Sequence, residues 1–168
     1  GNLNMKKIPA FIVILLALCG FVAQGCGEDD CPLTTTSHAR FDFLDSKTHQ
    51  TVALTNGATI SGLAYVNGQL RVDTLFNQAS NYMSLPLSYT SQTTFVMHYS
   101  ETLCDTIELT HKNLPFVSNI ECGTLMFHEV ESMRYTTNVL DSVVLVNPNI
   151  DNEEKTNFNI YYRVTDGE

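Results

Sequence analysis

Ile60-Ser61-Gly62-Leu63-Ala64-Tyr65-Val66-Asn67-Gly68-Gln69-Leu70-Arg71-Val72-Asp73-Thr74-Leu75 decides the fold class of this chain. Asn-Gly tolerates the positive φ angles of a type I′ turn, whose twist matches the strands it joins. Ile60 to Val66 and Gln69 to Leu75 are therefore expected to form one antiparallel hairpin. The same period of two recurs on both sides of it. Phe41 and Phe43 alternate with Arg40 and Asp42, and Ile107 and Leu109 with Thr106, Glu108 and Thr110. Met83, Leu85, Leu87 and Tyr89 alternate with Ser84, Pro86 and Ser88. Pro86 has no N–H to give to a ladder and marks an edge strand. Near the end, Phe158, Ile160, Tyr162 and Val164 oppose Asn159, Tyr161 and Arg163. Two runs, Ser142 to Val146 and Asn157 to Val164, bracket the polar loop Asn147 to Glu154. This pattern predicts an all-β fold, an antiparallel immunoglobulin-like β-sandwich of about eight strands. A closed barrel is the second choice.

The N-terminus is of a different kind. Lys6 and Lys7 precede an apolar run from Ile8 to Ala23, roughly 15 residues and short of the ~20 that span a bilayer. It reads as a signal-peptide helix with its start at Met5. Ala23-Gln24-Gly25-Cys26 resembles a bacterial lipobox, in which the cysteine is acylated and becomes the first mature residue. Cys19 is the competing candidate, but Leu18 before it is bulky for that site. Glu28, Asp29 and Asp30 resemble the acidic export signal of Bacteroidetes surface lipoproteins; a solvated tether facing the periplasm is the alternative. The expected organisation is a signal peptide over 1–25, an acidic lipidated tether over 26–36 and one sandwich domain over 37–168. The expected location is the outer membrane, at the cell surface.

Cleavage before Cys26 removes 25 of 168 residues and leaves 143, enough for one core. With Lys6 and Lys7 gone, seven basic side chains stand against 18 acidic ones, a formal charge of −11. Such a chain repels phosphate backbones, which argues against nucleic acid as a partner. The chain has no Trp, which weakens a sugar-platform reading, although seven Tyr remain.

Several stretches in order resemble a family of small Bacteroidetes lipoproteins built on a domain of unknown function. They are Cys26-Gly27-Glu28-Asp29-Asp30-Cys31, Leu85-Pro86-Leu87, Asp105-Thr106-Ile107-Glu108-Leu109-Thr110, Phe116-Val117-Ser118, Glu121-Cys122-Gly123 and Val146-Asn147. The resemblance implies placement in the envelope and a β-rich domain, and it brings no catalytic residues. Three thiols remain beside Cys26, and spacing does not choose among their pairings. The resemblance covers Cys31 and Cys122 and so implies a disulfide between them, clamping the tether to the domain. Cys104–Cys122 is the rival, for which Asp105 to Phe127 would have to be one tight hairpin; Ser118-Asn119 is expected to interrupt it.

Chemistry-bearing residues are sparse. His98, His111 and His128 fall in expected strands that neighbours could bring together as metal ligands, without any ligand-motif spacing. Glu129 and Glu131 share a strand face. Asp151-Asn152-Glu153-Glu154 offers oxygen ligands for Ca²⁺ but lacks the spaced acids and glycine of a binding loop. Asp followed by Ser or Thr and an aliphatic residue resembles the O-glycosylation acceptor of Bacteroidetes secreted proteins. It occurs at Asp73-Thr74-Leu75, Asp105-Thr106-Ile107 and Asp141-Ser142-Val143. Strand phase ranks Ser142 and Thr106 as accessible and turns Thr74 inward.

The expected function is a lipid-anchored, non-enzymatic binding or interaction module of the cell envelope, with no catalytic residues, metal or cofactor. Its partners would be the membrane, through the anchor, and an envelope protein. A small metal-dependent hydrolase using the histidines is one alternative. A pilin-like surface subunit, processed at Arg40, is the other.

Overall fold

The computed structural model describes residues 37–54, 58–66, 69–119 and 122–163. The signal-peptide helix, Cys26, Cys31, the Asn67-Gly68 turn and Val164 lie outside the described residues. Ten strands run in chain order: β1 His38–Asp45, β2 Thr59–Val66, β3 Gln69–Phe76, β4 Tyr82–Pro86, β5 Gln92–His98, β6 Cys104–Asn119, β7 Gly123–Tyr135, β8 Leu140–Leu145, β9 Asn149–Ile150 and β10 Thr156–Tyr162. They form a four-stranded sheet, β4-β1-β10-β8, and a six-stranded sheet, β3-β2-β5-β6-β7-β9. The described residues are thus all-β in two sheets, with ten strands rather than about eight.

The hairpin reading holds in register. Val66 pairs with Gln69 and Leu63 with Val72, leaving two residues to turn. Pro86 ends β4, which is an edge strand as its missing N–H requires. The wholly antiparallel expectation is corrected by β1 and β10, which lie parallel, with Phe43 beside Ile160. Strands so far apart in sequence have the whole domain as their crossover, so a parallel ladder is open to them. A bulge accompanies that pair. Arg40 sits opposite Thr156 and Phe41 opposite Phe158, so Asn157 is the extra residue. Its side chain is buried and fully used: Oδ1 accepts the Arg40 N–H at 3.0 Å, and Nδ2 donates to the carbonyls of Asn147 and Asn149.

The core forms where alternate residues of both sheets meet. Phe41, Phe43, Met83, Leu85, Phe158 and Ile160 from one sheet pack in one cluster with Ile60, Phe95, Met97, Ile107 and Leu109 from the other. Phe41 stacks on Phe158 at 4.5 Å and meets Phe95 of the opposite sheet edge to face at 5.8 Å. Each such pair adds ~0.5–1.5 kcal/mol beyond buried area. Tyr89, expected inward, is 79% exposed, because β4 has already ended at Pro86.

One part leaves the two-layer body. β5 pairs with β6 only as far as Thr110, and β9 covers β7 only at His128 and Glu129. Beyond those points β6 and β7 continue as a two-stranded arm, paired from Leu114–Phe127 out to Asn119–Gly123. The interruption expected at Ser118-Asn119 is partial: the register shifts between Val117 and Asn119, yet the ladder resumes at Asn119–Gly123, and Gly123, at φ 80°, takes the left-handed turn conformation that would strain a side chain. A register shift between Thr110 and His111 marks the root of the arm, where a bulge bends the strands. Leu114, Phe116 and Val117 on the arm are 43%, 44% and 58% exposed.

Candidate functional site

At the root of the arm the bulge and the register of β6 on β7 place Asn113 opposite His128 and bring His111 alongside. The two imidazoles stand edge to face with centroids 5.2 Å apart, and both are buried. Asn113 Nδ2 donates to the carbonyls of Tyr89 and Thr90, at 2.6 and 2.9 Å. That choice fixes its Oδ1 as an acceptor, and both histidines reach it through Nδ1, at 3.0 and 2.7 Å. Each ring therefore carries its proton on Nδ1. His111 Nε2 is left to accept from the Thr93 hydroxyl at 2.8 Å, and Thr93 Oγ1 in turn accepts the Ser88 N–H. The network ties β5, β6, β7 and the 88–90 turn together.

Burial disfavours the imidazolium form of both rings. It lowers His128 to about 4, with His111 beside it adding to the effect. Burial lowers His111 too, against the hydrogen bond its Nδ1–H donates to Asn113. At neutral pH both are uncharged, and a base whose conjugate acid titrates near 4 is poorly matched to proton abstraction. His128 also lines a cavity with Ser37, His38, Leu87, Tyr89 and Met126. His98 does not join the pair. It lies at the far end of β5, opposite Cys104, six residues from the Gln92–Thr110 contact. Among the described residues, no three His, Cys, Asp or Glu side chains are grouped to hold a metal ion.

Asp105 is a second built feature that sequence reasoning passed over except as part of an acceptor motif. Its fully buried carboxylate accepts four hydrogen bonds: Oδ1 from Thr136 Oγ1 and the Asn138 N–H, Oδ2 from the N–H groups of Val139 and Leu140. Burial alone would raise its pKa; the Leu140, Val139 and Asn138 amides and the Thr136 hydroxyl outweigh it and hold the carboxyl below its ordinary value. This carboxylate is a clamp between β6 and the turn into β8.

The remaining candidates are spread apart. Glu131 pairs with Lys112 at 3.0 Å, and Lys112 faces Glu129 across the ladder. Asp151 Oδ1 accepts the Glu153 N–H, and Glu153 pairs with Lys155, so the acidic loop binds its own backbone and cation. Arg40 lies within β1, its guanidinium on Asp42 at 2.9 Å and over the Tyr82 ring at 4.3 Å. Thr74 is exposed, while Thr106 and Ser142 are half-buried, which corrects the order of accessibility. Cys104 is a free thiol and Cys122 is not free. The rival Cys104–Cys122 bridge is absent, since the two lie at the base and the tip of one hairpin. No disulfide joins two described residues, and Cys31 lies outside them.

No curated protein and no solved structure matches the chain. A family model does, over residues 58–162, which takes in β2 to β10 and leaves β1 outside although β1 sits between β4 and β10. The chain belongs to that family, DUF6452, a family of unknown function.

Proposed function

We propose that the protein is a lipid-anchored, non-enzymatic interaction module of the cell envelope, a small Bacteroidetes-type lipoprotein held in the outer membrane and displayed at the cell surface. Its sandwich is read as immunoglobulin-like in architecture, with the parallel β1–β10 pair as a departure. The observation that carries the reading is the arm: a hairpin extended beyond the sandwich with Leu114, Phe116 and Val117 in solvent. Apolar side chains on a projecting element favour contact with something outside the chain. The buried polar groups support the same reading, because His111, His128 and Asp105 are occupied with holding strands together.

The lipobox-like Cys26 is the acylation site in this reading, with Cys31–Cys122 clamping the tether. A periplasm-facing anchor is the alternative placement. Fractionation of cells carrying the full chain tests it. The parent chain should travel with the envelope and carry an acyl mass on Cys26, and Cys26→Ala should release it. A parent chain in the soluble fraction overturns the anchor. Turnover of any substrate by the purified protein, abolished by His128→Gln with the fold intact, overturns the non-enzymatic part.

A further inference from the structure

The position of Ser37, where the proposed tether joins the domain, bears on which end of the domain meets the membrane. Ser37 Oγ donates to the carbonyl of Met126 on the outer edge of β7, so the chain enters the domain beside the arm. On that edge β9 covers His128 and Glu129, and the Val130 N–H goes to Pro148, so the stretch that no other described strand covers runs from beside Ser37 toward Gly123 and the tip. Ser37 lies eleven Cα steps from Cys26, a span of at most ~40 Å. β1 carries the chain away from the arm over eight residues, ~25 Å. Bringing the opposite end of the sandwich to a bilayer would need the tether laid back, nearly extended, along the domain.

Composition agrees with that placement. From Asn113 to Phe127 the only Asp, Glu, Lys, Arg or His is Glu121, within a chain of formal charge −9. The other element near the chain entry, the acidic loop by His38 and Arg40, is polar and suited to water. Phe116 and Phe127 stack at 4.8 Å and form a broad apolar ridge. Among the described residues, the arm's two outer edges have no ladder partner past Leu114 or before Phe127, and unpaired backbone is not tolerated in hydrocarbon. The arm therefore suits the hydrated headgroup–acyl boundary and not the bilayer centre.

We propose that the arm is the lipid-facing end of the domain, with Leu114, Phe116 and Val117 seated in that boundary. The inference rests on the reading of Cys26 as the acylated residue. The absence of Trp makes the test direct, because one substitution gives a unique fluorophore. Acylated full chain carrying Phe116→Trp, and separately Leu114→Trp, is reconstituted in phosphatidylethanolamine–phosphatidylglycerol vesicles with brominated acyl chains. Val72→Trp, on exposed β3, is the control. Emission from both arm variants should shift to the blue and fall roughly twofold with bromines near the glycerol, the depth of ~5–10 Å expected for interfacial side chains. Bromines near the chain ends should quench less, and the control should not respond. If vesicle-bound arm variants emit like the control, the lipid contact is wrong and the anchor stands. Cross-linking of the arm to an envelope protein with no quenching has the same meaning. If the mature chain carries no acyl mass and does not float with vesicles, the anchoring reading fails and the proposal with it.

Discussion

His111 and His128 share one acceptor: both Nδ1 atoms meet Oδ1 of Asn113, and the rings stand at 89° to each other. Two neutral imidazoles fit there, whereas two imidazolium ions 5 Å apart in a buried site repel and lose hydration.

Stability should therefore fall on mild acidification. Both folded-state pKa values lie below the ordinary histidine value of 6.5, that of His128 at about 4. Well above the unfolded value of ~6.5 neither state binds the extra protons and the full stability is present. As pH falls toward 4 the unfolded chain takes up protons that the folded chain refuses, so stability is lost through that window. His128 alone accounts for at most ~3 kcal/mol of the loss. Urea melts across pH 4 to 7 should show this slope, and His128→Phe should flatten it. A parent slope of zero across the window would contradict the buried neutral pair.

Asp105 should behave with its own window. Its folded pKa is depressed, so its contribution is present above the unfolded carboxylate value of ~3.9 and is lost as pH falls through the lower folded value. Asp105→Ala leaves the N–H groups of Asn138, Val139 and Leu140 without their acceptor and should cost ~2–3 kcal/mol or more, read as a shifted urea midpoint at unchanged slope. Glu108→Ala, on the same strand but in an exposed pair with Arg134, should change it by less than ~1 kcal/mol. Equal effects from both substitutions would remove the clamp role.

What could be read from sequence follows the physics of each level. Phe41, Phe43, Ile107 and Leu109 were legible because a half-buried strand has period two, and Asn-Gly in the sequence marked the two residues between Val66 and Gln69, which pair in β2 and β3. Phase failed at Thr74. An inward face needs something over it, and six strands facing four leave β3 at an edge, exposed from Gln69 to Thr74 and packed on the core only at Leu75 and Phe76. The approach of His111 to His128 was conceivable from neighbouring strands, but it depends on the bulge after Thr110, and Asn113 gave no signal that separates it from a surface amide. The β1–β10 pairing is wholly tertiary. The arm hid behind Ser118-Asn119, whose polar look suggests a break; the ladder does shift register there, yet it resumes and reaches Gly123.

Glycan attachment, if the three Asp-Ser/Thr motifs are used on the folded protein, should follow the observed exposure. Thr74 lies on the open strand β3, whereas Thr106 is half-buried and follows an Asp105 whose carboxylate is taken by four donors. Ser142 is half-buried, beside an Asp141 paired with Arg163. Intact-mass measurement of exported protein should show the added mass lost in Thr74→Ala and kept in Thr106→Ala. The reverse pattern would mean that modification precedes folding.

The tether should be covalently closed. Ser37 already contacts Met126, and counting back along both segments gives six residues to Cys31 and four to Cys122. At ~3.3 Å per residue those spans are ~20 and ~13 Å, so the thiols can meet without distorting β7. Closure removes two protons and two electrons from the thiols and passes them to a disulfide-bearing oxidant, which leaves as a dithiol. The bridge would close a loop of about 90 residues and add up to ~4–5 kcal/mol on the chain-entropy view. Non-reducing peptide mapping should recover Cys31 linked to Cys122, with Cys104 alkylated as a free thiol. Reduction should lower the urea midpoint of the parent and leave Cys31→Ser unmoved. Recovery of Cys122 linked to another chain, or alkylated as freely as Cys104, would leave the entry beside the arm held by the Ser37 contact alone.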